Sequence, residues 1–149
     1  MSEGRPSKAE AIAKADATWE EWRAFLVGEA GAGRADTKGS DGWTLAEAAA
    51  HVARWQGWAV ERIRGILVAE RSERLDVEGK NAAWAKKDRG VTFEPALKRM
   101  DDAWSALRKA AVAVPDAKWR RLISAVFAAS TWEHYEEHLA WHPAAPTPR

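Results

Sequence analysis

Four segments of this chain place apolar residues at alternating steps of three and four, the spacing that gathers them on one face of an α-helix. Ile12, Ala15, Trp19, Trp22 and Leu26 form the first stripe. Leu45, Ala48, Val52, Trp55, Ala59, Ile63 and Ile66 form the second, and Leu97, Met100, Trp104, Leu107, Ala111 and Val114 the third. The last segment, 116–143, reads in two ways. It is either one long helix with stripe Ile123, Phe127, Ser130, His134, His138 and Trp141, or two helices divided near Ser130, where Ser130-Thr131-Trp132-Glu133 offers a capping box.

Local signals agree with this division. Ser7-Lys8-Ala9-Glu10 and Thr44-Leu45-Ala46-Glu47 are capping boxes at the first two helix starts, and Thr92 caps the third. Gly28, Gly31 and Gly33 end the first helix, the second frays near Glu70, and Pro115 stops the third. Residues 34–42 read as a polar loop. The charged stretch 71–90 carries no sustained helical period beyond a short turn at Asn81-Ala82-Ala83-Trp84. At 149 residues the chain suits one domain over 7–142, flanked by disordered 1–6 and a Pro-rich disordered tail at 143–149.

Four amphipathic helices in one small domain predict an all-α four-helix bundle. The connection between helices two and three has roughly 20 residues and reaches ~60 Å when extended. A helix of about 24 residues is only ~36 Å long. The crossover can therefore span the bundle, which favours an up-down-down-up arrangement.

Composition excludes several functions. Lys plus Arg number 23 and Asp plus Glu 22, a net charge of +1, so bulk charge does not mark the chain for nucleic acid or a membrane surface. No run of ~20 apolar residues is present to span a bilayer. The first six residues lead into no apolar stretch, so no signal peptide is expected, and the absence of cysteine fits a cytoplasmic setting. Without cysteine there is no thiolate ligand or thiol nucleophile. The chain also carries no nucleophilic Ser/His/Asp pattern, phosphate loop or EF-hand loop.

All four histidines lie in two short segments: His51, then His134, His138 and His142. His134 and His138 are one turn apart and continue the apolar stripe of the last segment, so both face inward, whereas His142 rotates away from it. With helix two antiparallel to a long last helix, His51 comes level with this pair. Three converging imidazoles suit Zn, Ni, Cu or Fe and leave a coordination position open. Isolated core histidines are the competing account. Glu47, one turn before His51, is either a carboxylate that orients it or simply the capping residue. Tyr135 lies between the paired histidines in sequence, and Glu136 and Glu137 read as a solvated face.

Ten tryptophans stand against one tyrosine and three phenylalanines. Core packing accounts for Trp19, Trp22, Trp104 and Trp141, and Trp43 suits a staple at the start of helix two. Trp55, Trp58, Trp84 and Trp132 fit a core less readily. Taken together, Trp55, Trp58 and Trp84 make candidate aromatic walls for a flat or apolar ligand beside His51.

Three stretches resemble one family. Gly42-Trp43-Thr44 leading to His51-Val52-Ala53-Arg54-Trp55, the crossover Asn81-Ala82-Ala83-Trp84, and Thr131-Trp132-Glu133-His134-Tyr135-Glu136-Glu137-His138 are similar to the DinB-like four-helix bundles, closest to the ClbS/DfsB group. The His-Tyr-x-x-His segment is the most specific of these. The resemblance implies an up-down-down-up bundle, a site for a divalent metal such as Zn or Ni at His51, His134 and His138, and possible dimerisation of the kind relatives show. It also implies activity on a small electrophile. In the ClbS/DfsB group this is hydrolytic opening of a strained cyclopropane in a genotoxic metabolite, a self-resistance function not generally described as metal-dependent. Elsewhere in the superfamily it is transfer or isomerisation with a low-molecular-weight thiol, which here must come from outside. Catalytic roles are expected of His51, His134, His138, Tyr135 and Glu47, and substrate contacts of Trp55, Trp58, Trp84 and Asn81. A Trp-lined bundle that sequesters a drug-like molecule without turnover is the third expectation.

Overall fold

Ser7 starts the first helix as its motif requires. Its hydroxyl accepts from the Glu10 amide at 3.1 Å while the Glu10 carboxylate accepts from the Ser7 amide at 3.2 Å. Thr44 and Glu47 make the same reciprocal pair at the second helix. The computed structural model describes residues 5–69 and 75–141, and these are all-helical apart from connecting loops. The six α-helices are α1 (Lys8–Gly31), α2 (Leu45–Ala69), α3 (Val77–Asp88), α4 (Phe93–Ala113), α5 (Arg121–Ser130) and α6 (Trp132–Trp141), with a single 3-10 turn at Asp116–Lys118. No helix among the described residues is long and apolar enough to cross a membrane.

The apolar stripes pack inward. Every residue of the second and third stripes is buried, and in the first only Ile12 is partly exposed. Trp19 stacks on Trp104 with centroids 5.1 Å apart, and the Trp22 indole N–H points at Met100 Sδ at 3.3 Å. Three polar contacts set the register of α1 on α4: Lys8 Nζ on the Val114 carbonyl, Arg108 on Asp16, and Arg23 on Asp101. Low numbers meet high ones throughout, so the two helices run in opposite directions. Partly exposed pairs of this kind stabilise by about 1 kcal/mol at most, and their weight here lies in alignment.

Two expectations need correction, and one open reading is decided. The stretch after α2 is not a loop with a short turn, because residues 77–88 form the helix α3. It lacks an apolar stripe and buries only Asp88, so periodicity could not reveal it. Polar anchors hold it instead. Asp76 caps its start, Asn81 Oδ1 accepts from the Trp55 indole at 2.8 Å, and Asp88 accepts from both Arg54 and Arg99. Asn81→Ala is expected to lose about 1 kcal/mol, read as a lower urea midpoint, because the part-buried indole N–H loses its acceptor.

The last segment is two helices rather than one, the second of the two readings, though the break falls at Thr131 and not through a capping box. Thr131 has φ −122° and ψ −108°, and its hydroxyl donates back to the Phe127 carbonyl at 2.8 Å. Thr92 precedes α4 as expected, but its hydroxyl makes no capping bond. Residues 1–4, Glu70, His142 and the Pro-rich tail lie outside the described residues, and the expectations made for them go with them.

A candidate metal centre beneath an aromatic cavity

His51 stands on the second turn of α2, and His134 and His138 stand one turn apart on α6. The break at Thr131 starts α6 afresh and keeps both of its histidines buried. Candidate ligand nitrogens of the three residues lie within 4.8 Å of one another. The Nε2 atoms of His134 and His138 are 3.0 Å apart. That spacing fits one hydrogen bond, and it also fits two nitrogens each ~2.0–2.1 Å from a shared ion. The His51 ring packs edge-on to both partners, with centroids 5.0 and 5.2 Å away.

Burial controls the charge of this cluster. It pushes His51 down to about 4, with the Asp88 carboxylate pulling weakly the other way. It pushes His138 down to about 3, helped by His51, and drives His134 well below the ordinary histidine value. All three are therefore neutral at pH 7, the form that ligates metals and that makes a poor proton donor. The donor set fits a divalent ion of the Zn or Ni class, and His51, His134 and His138 can hold one.

Over this cluster opens a cavity of about 410 Å³. His51 and His134 reach it from below, Trp55, Trp58 and Trp141 give it flat walls, and Leu75, Val77 and Asn81 close one side. Glu137 is the single charged residue of the lining among the described residues. Its carboxyl is raised above the usual range by desolvation.

The expected residues are only partly brought together. His51, His134, Trp55, Trp58 and Asn81 all line the cavity. His138 sits behind the other two histidines, against Trp22 and Trp141. Trp84 is one layer out, edge-on to Trp55 at 4.8 Å, and lines a smaller cleft with Glu47 and His51. Glu47 makes its hydrogen bonds to the backbones of Thr44 and Gly90 rather than to His51, because the capping geometry turns its carboxylate that way. Tyr135 does not reach the cavity. It is fully buried, donating to Gln56 Oε1 at 2.6 Å between Trp19 and Trp104, since one residue of helix turns it about 100° from His134.

Sequence reasoning missed other neighbours. Trp43, read as a staple, lies 4.5 Å from the His51 ring. Trp141 and Glu137, read as core and solvated face, both line the cavity. The signal was available for those two: Ser130, His134, Glu137 and Trp141 are spaced four, three and four apart. No family model, curated protein or solved structure matches this chain.

Proposed function

We propose that this chain is a metal-dependent enzyme that adds water to a small, largely apolar electrophile and opens a strained ring in it. We further propose that it is an up-down-down-up bundle of the DinB-like kind, nearest the ClbS/DfsB group. The opposed course of α1 and α4 and the long crossover containing α3 support that arrangement. One observation carries the functional reading: three buried, neutral histidines meet, two of them at the floor of a cavity whose described walls are otherwise mostly apolar and aromatic.

His51, His134 and His138 would hold the ion. When bound, it supplies Lewis acidity to the attacking nucleophile. The protein's own residues do the rest. Trp55 and Trp58, edge to face at 5.3 Å, clasp a flat ligand, and Leu75 and Val77 cover its outer side. Glu137, which lines the cavity and has no hydrogen-bond or ion-pair partner among the described residues, offers an oxygen to take the proton released by water. The water oxygen bonds to a ring carbon and the ring bond breaks. Its electron pair passes to the conjugated acceptor, and the proton finally rests there. Water is favoured over a carboxylate-bearing thiol because the described lining has one acid and no lysine or arginine to meet such a thiol, and its histidines are neutral.

The test joins metal analysis with turnover. Purified protein is expected to carry about one Zn or Ni per chain and to convert an acceptor-activated aryl cyclopropane, in excess, to a product heavier by one water. Chelation is expected to stop it. Tight binding without turnover would replace this reading with sequestration, and a strict need for added thiol would replace it with thiol transfer. Protein that takes up no divalent metal would end the metal-dependent account.

A further inference from the structure

The loop that precedes α2 docks on the end of α6. The Ser40 amide donates to the Trp141 carbonyl at 2.9 Å, one of the carbonyls a helix end leaves unpaired. The Gly39 amide donates to the Trp43 carbonyl and the Gly42 amide to the Gly39 carbonyl. Gly42 sits at φ +83°, a turn that a residue with Cβ rarely adopts. Inside this turn the Trp43 amide donates to Asp41 Oδ1 at 3.0 Å. That bond orients the carboxylate and leaves its other oxygen, Oδ2, facing His138 Nδ1 at 4.0 Å. His138 is buried there against Trp22, Trp43 and Trp141.

We infer that Asp41 is a positioning residue for the metal centre, and that it sets the proton arrangement of the His134–His138 pair. At 4.0 Å Asp41 makes no hydrogen bond to the ring, but its negative charge favours the tautomer of His138 whose proton sits on the facing Nδ1. His138 Nε2 then carries a lone pair aimed at His134. In the 3.0 Å contact between them, His134 Nε2 must be the donor. His134 Nδ1 is left bare, and it is one of two buried side-chain polar atoms among the described residues without a hydrogen-bond partner. The His134 nitrogen that this assignment leaves without a proton is thus the one with nothing to donate to. This inference rests on the metal-centre reading for its affinity arm and stands apart from it for its tautomer arm.

Asp41→Asn separates positioning from turn-building, because the amide oxygen can still accept from Trp43 while the charge beside Nδ1 is lost. Zn²⁺ affinity, measured by competition with a chromophoric chelator, is expected to fall 10–100-fold, the usual effect of removing a carboxylate behind a ligating histidine. Long-range ¹⁵N correlation spectra of the metal-free wild type are expected to show His138 as the Nδ1–H form and His134 as the Nε2–H form. In Asp41→Asn the His138 pattern is expected to change. Unaltered Zn²⁺ affinity in the folded variant, or His138 as the Nε2–H form in the wild type, would overturn the inference. A wild type with these tautomers but no Zn²⁺ uptake would overturn the metal centre and the affinity arm, leaving only the tautomer assignment.

Discussion

Replacing His138 by Ala is expected to lower Zn²⁺ affinity on the order of 10³-fold while leaving the helical content intact. The figure follows from removing one of three ligands from a site whose total binding free energy is about 10 kcal/mol or more. The fold survives because the stripe residues of α1, α2 and α4 that pack the core do not depend on this ring. His134→Ala is expected to behave alike. His51→Ala tests convergence, since this residue arrives from a different helix and lies 83 and 87 positions from its two partners in sequence. Equilibrium dialysis with metal analysis reads the loss, and circular dichroism reads the fold. A variant that keeps full affinity would remove that residue from the site. Variants that melt at room temperature would show the histidines to be core residues only.

The metal-free protein is expected to lose stability steeply as pH falls below about 6.5. In the unfolded chain each histidine protonates near 6.5, whereas burial holds His51 at about 4 and His138 at about 3 in the folded state. Between these values the unfolded state binds more protons, so stability decreases as pH decreases. It is fully present above 6.5 and lost on the way down to the folded values. Each histidine contributes a slope of up to about 1.4 kcal/mol per pH unit, and His51 and His138 together roughly 3. His134, shifted in the same direction, steepens it. Set against a domain stability of about 5–15 kcal/mol, this predicts unfolding in the mildly acidic range. Urea midpoints at several pH values in chelator check it. A flat profile between pH 7 and 5 would mean that the three rings are solvated. Added Zn²⁺ should raise the midpoint at pH 7 and still at pH 5, and lose its effect only near pH 4 and below, where protons compete for the nitrogens of the folded site.

The bundle core was legible because its information is local. Apolar residues at helical spacing, two capping boxes and Pro115 are patterns within a few positions of one another, and the structure buries nearly all of those stripes. The histidine trio was legible for a related reason, since two of its members continue an apolar stripe and so must face inward. What stayed hidden depends on distant partners. α3 is mostly exposed and docks through Asn81 on Trp55 and Asp88 on Arg54, 26 and 34 positions away, and no periodicity records that. Asp41 lies in a loop whose relation to His138 exists only after that loop seats on Trp141. Tyr135 shows the opposite error. Closeness in sequence to His134 implied closeness in chemistry, but helical geometry sends it to Gln56.

Most of α3 is free of core duties, with Asn81 and Asp88 as its chief fasteners on α2. Its substitutions are thus nearly decoupled from the folding of the bundle, while Leu75, Val77 and Asn81 form part of the ligand's surroundings. Diversifying the exposed positions of 75–84 is a route to retuning which molecules are admitted without disturbing the reactive centre. The exposed face of the crossover is thus an exchangeable faceplate, open to substitution at little expected cost to the core.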